Sequence, residues 1–265
     1  MEILKEPEIK AAAIDWLERK GVLKQSTLVN ELMVANSERR ADLAIINGHL
    51  HAYEIKSDAD SLNRLEGQVK TYLKHFDKVT LICTKKFTVA ALDKLPKEVE
   101  IIEIERTSSK NYKLTTKRRG RRVKICKPEG FLSFVDKKNI IKLLRSNGVA
   151  CPISITRSES YMLAEKLKSE SWRNWTIEYL KKKYSETHSR FMATKNNPTD
   201  TKDLISLRKY KRSPYPNVSA TRPENQDVET KTSIQSKGMD ITARLSRHGF
   251  VPKSKIKIIP KKARG

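Results

Sequence analysis

Asp42, Glu54 and Lys56 are the residues whose types and spacing carry chemistry. Glu54 and Lys56 bracket Ile55 in the run Tyr53-Glu54-Ile55-Lys56-Ser57. Period two along a strand puts both charges on one face and turns Ile55 to the other. Asp42 lies near the start of a second apolar run, Ala41–Ile46. Charges between apolar strand residues are costly unless they are paired or bind a metal. A carboxylate on each of two neighbouring strands, with a lysine two positions past the second, is a divalent-cation arrangement. Hard cations such as Mg²⁺ take oxygen ligands and keep waters. The Ile55 carbonyl can add one more oxygen.

These side chains meet only if the elements around them are right. Asn47-Gly48 between Ala41–Ile46 and Leu50–Lys56 is a hairpin signal. A two-residue turn would set Asp42 opposite Tyr53, one position out of step. The reading therefore requires a three-residue loop or a bulge, and a clean two-residue hairpin refutes the site. Upstream, Pro7 starts a helix carrying Ile9, Ala13, Trp16 and Leu17, stopped at Gly21. Leu28–Val34 is a short apolar run. Asp60–Phe76 reads as a helix with Leu62, Leu65, Val69, Leu73 and Phe76 on one face. Val79–Cys83 is a buried strand, Phe87–Leu95 a helix closed by Pro96, and Val99–Ile104 a strand. The order α-β-β-β-α-β-α-β predicts an α/β fold with a mixed sheet.

The helix after Lys56 carries Asp60, Arg64, Gln68 and Tyr72 every four residues, a polar stripe opposite the apolar one. Asp60 suits its cap. Arg64, Gln68 and Tyr72 face either the metal site and DNA phosphates or solvent. Ser57 and Asp58 shape the turn into that helix, with Ser57 a donor supporting the site from behind. His49 and His51 flank the turn without a third nitrogen or sulfur ligand near in sequence, which favours an exposed hairpin tip. Arg39-Arg40 either balances the carboxylates or is an ordinary surface pair.

Charge divides the chain. Residues 1–106 carry 17 basic and 18 acidic side chains, 107–189 carry 20 and 7, and 190–265 carry 18 and 6, for a total of +24. The simplest partner for such a polycation is a phosphate backbone, DNA with RNA as the alternative. Hydrophobic residues are 37%, below the roughly 45–50% of globular domains, so one uniformly packed globule is not expected. The reading gives an α/β domain over 1–106, a basic hairpin or linker over 107–130, a small basic helical subdomain over 131–190 and a mostly disordered basic tail over 191–265. In the second segment, Arg118, Arg119, Arg121, Arg122 and Lys124 form a block at the tip of a hairpin pressed against DNA. In the third, Ser158 or Ser160 and then Ser171 start helices over Tyr161–Leu167 and Trp172–Tyr184. No run approaches the ~20 apolar residues of a membrane helix. The start, MEILKEPEIK, lacks a signal-peptide core. Three cysteines without a CxxC pair argue against a zinc ribbon or a disulfide scaffold. A cytoplasmic protein without a membrane partner is expected.

Asp42 followed by Glu54-Ile55-Lys56 resembles the D…(D/E)xK signature of the PD-(D/E)xK nuclease superfamily, whose restriction-endonuclease-like core has the same αβββαβ order. Glu31 in LVNEL resembles that superfamily's upstream acidic residue. Gln68 and Tyr72 resemble the QxxxY element of RecB-like members. The run RRADLAIINGHLHAYEIKSDADSLNRLEGQVKTYLKHFDKV is similar to small, largely uncharacterised bacterial and phage proteins of the group. The likeness spans about residues 25–83. Ala41 stands where proline is usual, and the segment after Lys85 does not match the pattern. The resemblance implies a hydrolase cutting DNA phosphodiester bonds with one or two Mg²⁺ (or Mn²⁺) ions, in repair, recombination or phage and mobile-element biology. Asp42 and Glu54 would hold the metal, Glu31 directly or through water. Lys56 would orient or deprotonate the attacking water, leaving a 5′-phosphate and a 3′-hydroxyl. A homodimer follows by analogy alone. The alternatives are a non-catalytic nucleic-acid-binding protein on a nuclease-like fold and a ribosome- or capsid-associated basic protein. Intact carboxylates favour the enzyme, because a binder gains nothing from negative charge facing phosphate.

Overall fold

The computed structural model describes residues 3–34, 38–108 and 111–207, together with two short strands at 239–240 and 257–258. Helix α1 (Glu6–Arg19) opens with Pro7 in its first turn, and the Lys5 N–H donates to Glu8 Oε2 at 2.9 Å. Then come β1 (Thr27–Val34), β2 (Arg39–Ile46), β3 (Leu50–Lys56), α2 (Leu65–His75), β4 (Lys78–Thr84), α3 (Lys85–Lys94), β5 (Glu100–Ser108) and β6 (Asn111–Arg118). The six strands lie in sequence order in one mixed sheet. The β1–β2, β2–β3 and β5–β6 pairs are antiparallel. The β3–β4 and β4–β5 pairs, each bridged by a helix, are parallel.

Strand alternation sorts the sheet into two buried faces. Leu50, Ala52, Leu81 and Ile101 turn toward α2 and α3, whose Val69, Tyr72, Phe76 and Phe87 cover them. Tyr53, Ile55, Ile82 and Ile102 turn the other way, under Ile9, Ala13 and Leu17 of α1. The result is a three-layer α/β/α arrangement.

The rest of the chain departs from expectation. The helices α4 (Pro128–Leu132), α5 (Lys137–Ser146), α6 (Arg157–Ala164) and α7 (Ser169–Thr194) do not form a separate subdomain. Phe131, Ile140, Leu144, Trp172 and Leu180 join the same core as α2, and the described residues up to Leu207 form one compact unit. Helix α6 starts two residues earlier than Ser158, at Thr156, which accepts the Glu159 N–H while Glu159 returns a bond to the Thr156 N–H. Helix α7 runs past the expected end at Tyr184 and covers the sheet edge, where His188 Nδ1 accepts the Leu28 N–H at 3.2 Å. The first part of the expected disordered tail is folded. Phe191, Leu204 and Leu207 are buried on the α1 side, and the Thr199 N–H donates to the Asp15 carboxylate at 3.0 Å. From residue 208 the expected tail lies outside the described residues, apart from β7 (Met239–Asp240) and β8 (Lys257–Ile258), which pair antiparallel with each other. No helix among the described residues is long and apolar enough to cross a membrane.

His51 is not at an exposed tip. It is buried within a one-directional hydrogen-bond chain across three strands. Glu100 Oε2 accepts from Thr80 Oγ1 at 2.7 Å, so Thr80 must in turn accept from His51 Nε2, also at 2.7 Å. That leaves His51 Nδ1 to accept from the Tyr53 hydroxyl at 2.9 Å. Burial holds the His51 imidazole well below its ordinary pKa, and the charges of Lys78, His49 and Arg122 add to this. The unfolded chain therefore binds a proton near pH 6 that the fold refuses. Stability contributed by this group is complete above about pH 6.5 and declines as pH falls, by up to ~1.4 kcal/mol per pH unit. Urea midpoints measured from pH 7 to pH 5 should fall in the wild type and fall less steeply in His51→Gln. Equal slopes would remove His51 as the source.

Candidate active site

The β2–β3 hairpin loop holds three residues, Asn47 to His49, with Gly48 at φ 93°. Pairs run from Ile46↔Leu50 to Leu43↔Tyr53. One further step in that register sets Asp42 across from Glu54, the arrangement that a two-residue turn would have broken. Regular pairing stops there, and the Ile55 N–H donates instead to Asp42 Oδ2 at 2.7 Å.

Glu54 is buried at 2% exposure and locked at both oxygens. Lys56 Nζ donates to Oε1 at 2.8 Å, and the Tyr72 hydroxyl lies 2.9 Å from Oε2. The same hydroxyl lies 2.7 Å from the Arg40 carbonyl. Its single proton serves two acceptors, which ties α2 to both β2 and β3. Lys56 Nζ also donates to Gln68 Oε1 at 3.2 Å. Asp42, Glu54, Lys56, Arg64 and Gln68 line one open cleft of about 240 Å³. Ile55 lines it too, although its side chain is buried in the opposite core. What Ile55 offers the cleft is therefore backbone. Its carbonyl points to the same side of the strand as its N–H, toward Asp42.

Burial first, and then the neighbouring Glu54, raise the Asp42 carboxyl to about 7 against the opposing pull of the Ile55 N–H and Lys10. Two carboxylates share one partly dry space, and a cation between them would relieve that repulsion. Among the described residues no three His, Cys, Asp or Glu side chains surround one point. The paired donors are the Asp42 and Glu54 carboxylates and the Ile55 backbone carbonyl, with the carboxylates of Glu6, Glu38 and Asp60 also lining the cleft. All are oxygens, which fits Mg²⁺ retaining several waters.

Several expected members are placed elsewhere. Glu31 does not line the cleft. It adopts a left-handed backbone at φ 56°, and its half-exposed carboxylate is held by Arg40 Nη1 at 3.2 Å. The Ser57 hydroxyl and N–H both donate to Asp60 Oδ2, at 2.6 and 2.8 Å, so Ser57 closes a turn and does not support the site. That use of Asp60 delays the helix. Helix α2 starts at Leu65 with Arg64 as its cap residue. Three residues were missed, among them Glu38, which precedes β2 and lines the cleft. Glu6 of α1 lines the cleft and pairs with the buried Lys10 at 3.1 Å. The signal was Lys10 itself, a charge next to Ile9 on the apolar stripe of α1, four residues from an acid.

The basic block is not a hairpin tip. Residues 111–118 pair with β5, and residues 119–127 continue as irregular chain along the end of the sheet where β4 and β5 begin. There the Arg121 N–H donates to the Glu98 carbonyl at 3.1 Å and the Val123 N–H to that of Asp77 at 2.8 Å. Arg118 is turned onto the chain's own backbone. Its guanidinium donates to the carbonyls of Val99, Leu92 and Pro96 at 3.1, 3.1 and 2.8 Å. Arg118→Ala should cost about 1 kcal/mol by removing these hydrogen bonds, since water can reach the Leu92 and Pro96 carbonyls. It should leave the salt dependence of DNA binding unchanged, as a denaturant titration and a salt titration would read. A changed salt slope would return Arg118 to the DNA surface.

A family pattern agrees with the extent of this unit, while a relative aligns over nearly the whole chain. The bacteriophage P4 protein cII family pattern matches residues 1–208. Protein cII of Enterobacteria phage P4 is 34% identical over 263 residues, covering 97% of this chain and 98% of that protein. Among solved structures, the SPO1766 protein of unknown function from Silicibacter pomeroyi is similar at 17% identity and a TM-score of 0.34, over 46% of this chain and 76% of that one. The family pattern begins before α1 and ends one residue beyond the last described turn of the folded unit. The chain belongs to the bacteriophage P4 protein cII family.

Proposed function

We propose that this protein is a Mg²⁺-dependent nuclease that hydrolyses DNA phosphodiester bonds, on a core of the restriction-endonuclease-like type. The observation that carries the reading is the convergence of Asp42, Glu54 and Lys56 on one cleft, with the two carboxylates in register across the hairpin. Bound there, Mg²⁺ would supply an activated water and offset charge building on the phosphate. Asp42, Glu54 and the Ile55 carbonyl would hold it, with Glu6 close enough to line the same space.

The chain's own groups do the rest. Lys56, gripped by Glu54 and Gln68, keeps its ammonium aimed at one spot, where it orients the attacking water and stabilises the developing oxyanion. Tyr72 fixes the Glu54 rotamer, so the carboxylate needs little reorganisation. Arg64 at the start of α2 and Arg39 on β2 line the cleft as cations for the flanking phosphates.

The test is cleavage of linear, nicked, branched and single-stranded DNA with Mg²⁺ or Mn²⁺. Nicks bearing 5′-phosphates, lost in EDTA and in Glu54→Ala, are expected. Absence of cleavage on every substrate with both metals would reduce the protein to a non-catalytic binder. Equal activity in Glu54→Ala would assign the cutting to a contaminant.

A further inference from the structure

The cleft and the basic segment lie at opposite ends of the sheet. Glu54 and Lys56 close β3, whereas Arg122 Nη2 sits 3.3 Å from His49 Nδ1 in the loop that precedes it. Five residues separate His49 from Glu54, which is about 17 Å of strand.

Residues 119–127 are held rigidly there. Gly120 is pressed on the 98–100 backbone so closely that an added Cβ would lie 2.5 Å from the Glu98 carbonyl oxygen. Ile125 is buried. With the small and apolar residues turned in, Arg119, Arg122, Lys124 and Lys127 stand exposed, and Lys74 from the far end of α2 stands beside them. None of these five forms a salt bridge among the described residues. Among the described residues, five acids stand near the segment. Glu98 is taken by Arg121, and buried Asp77 is taken by Arg173 and the Leu50 N–H. Glu170 remains on the rim beside Arg122 and Lys124, and Glu38 and Glu129 line the groove that holds Lys74, Lys124 and Lys127, so the cations outnumber the unpaired acids there by five to three. The positive field is felt locally, since Arg122, Lys78 and Arg173 add to the burial that lowers the His49 pKa, against Asp77. Like charges fixed side by side repel each other unless a polyanion neutralises them.

We infer that this segment is a second DNA-binding track, gripping the phosphate backbone of a duplex without reading its sequence, at the end of the sheet remote from the cleft. The duplex is preferred to a single strand because the exposed side chains are cationic and none is aromatic, so the track has no stacking platform for unpaired bases. The inference takes DNA as partner, as the proposed function does, but needs no cleavage step. A failed cleavage assay would leave it standing, and its own failure would leave the cleft's chemistry untouched.

The test is fluorescence anisotropy of the full chain with a 40-base-pair duplex in EDTA over a range of salt. Arg122→Ala/Lys124→Ala should raise Kd about 10-fold at 100 mM salt and lower the slope of log K against log salt by about 2. Lys124→Ala/Lys127→Ala, which keeps the Arg122–His49 contact, should do the same and guards against misfolding of the first pair. Lys137→Ala/Lys138→Ala, an exposed pair on α5, should change neither quantity. An unchanged slope in both track pairs would overturn the inference. So would an equal loss in the α5 pair, which would mean that only net charge matters. Tighter, track-dependent binding of a 40-nucleotide single strand would overturn the duplex assignment.

Discussion

Asp42→Asn should melt higher than the wild type at pH 8 without metal, and should cut DNA at least 10²-fold more slowly with it. The stability half follows from sign. The Asp42 carboxyl, raised from 3.8 to about 7 in the fold, is ionised more readily in the unfolded chain. The wild type therefore loses stability as pH rises from about 4 through 7, by up to ~1.4 kcal/mol per pH unit. Asparagine cannot ionise, and its carbonyl oxygen can still accept the Ile55 N–H. The variant should thus gain roughly 10 °C at pH 8, from about 4 kcal/mol at roughly 2–4 °C per kcal/mol for a domain of this size, and gain nothing at pH 4. Mg²⁺ should stabilise the wild type at pH 8 and leave Asp42→Asn unmoved, because the ion would be attracted by both carboxylates together. The activity half follows because removing one charged ligand removes the charge that positions the metal and its water. A wild type whose melting temperature ignores millimolar Mg²⁺ and Mn²⁺ would remove the cation from the cleft.

Trp172→Ala should cost about 3–5 kcal/mol and destabilise the whole of residues 1–207 in one transition. Trp172 is 2% exposed and meets the Phe131 ring edge-on at a centroid distance of 5.6 Å. Next to it, Arg173 also packs on that ring, 4.4 Å from the Phe131 centroid, and bonds Asp77 at the start of β4. One tryptophan thus joins α4 and α7, while its neighbour ties α7 to the sheet. Urea unfolding of the variant, followed by far-ultraviolet circular dichroism and by fluorescence of Trp16 and Trp175, should give coincident curves shifted to lower urea. A first transition in which Trp175 responds while Trp16 on the other face stays silent would show that the C-terminal helices fold independently after all.

The acidic pair and its lysine were legible because strand alternation is strict. Given the hairpin, Glu54 and Lys56 had to share a face, and the demand for a three-residue loop followed by counting. The α1-to-β5 order was legible for the same reason: each element carries an apolar period, broken in β1 only by Asn30 and Glu31. What escaped depended on side chains that bond locally. Asp60 prefers helix starts, yet here it folds back on Ser57 and postpones α2 to Leu65. Glu31 sits at the expected place in sequence, but a left-handed backbone and Arg40 draw its carboxylate away. The block around Arg119 looked like a hairpin tip because short apolar runs flank it. The tertiary contest was decided by β5, which pairs with the first of those runs and leaves the second to pack on the sheet end. The end of helix α7 beyond Tyr184 was hidden because polar residues dilute its period. Leu180 and Phe191 nevertheless anchor it in two different cores.

The chemistry of the cleft is governed from a distance. Asn47, Gly48 and His49 touch no reacting group, yet their number sets which side chain stands across from Asp42. Shortening that tip by a single residue would leave every acid in place in the gene and slide one of them past its counterpart, with Tyr53 as the new neighbour. In this chain Asn47 and His49 can therefore change more freely than Gly48, which holds φ 93°, and an insertion or deletion in the turn would damage the proposed site as surely as losing a carboxylate.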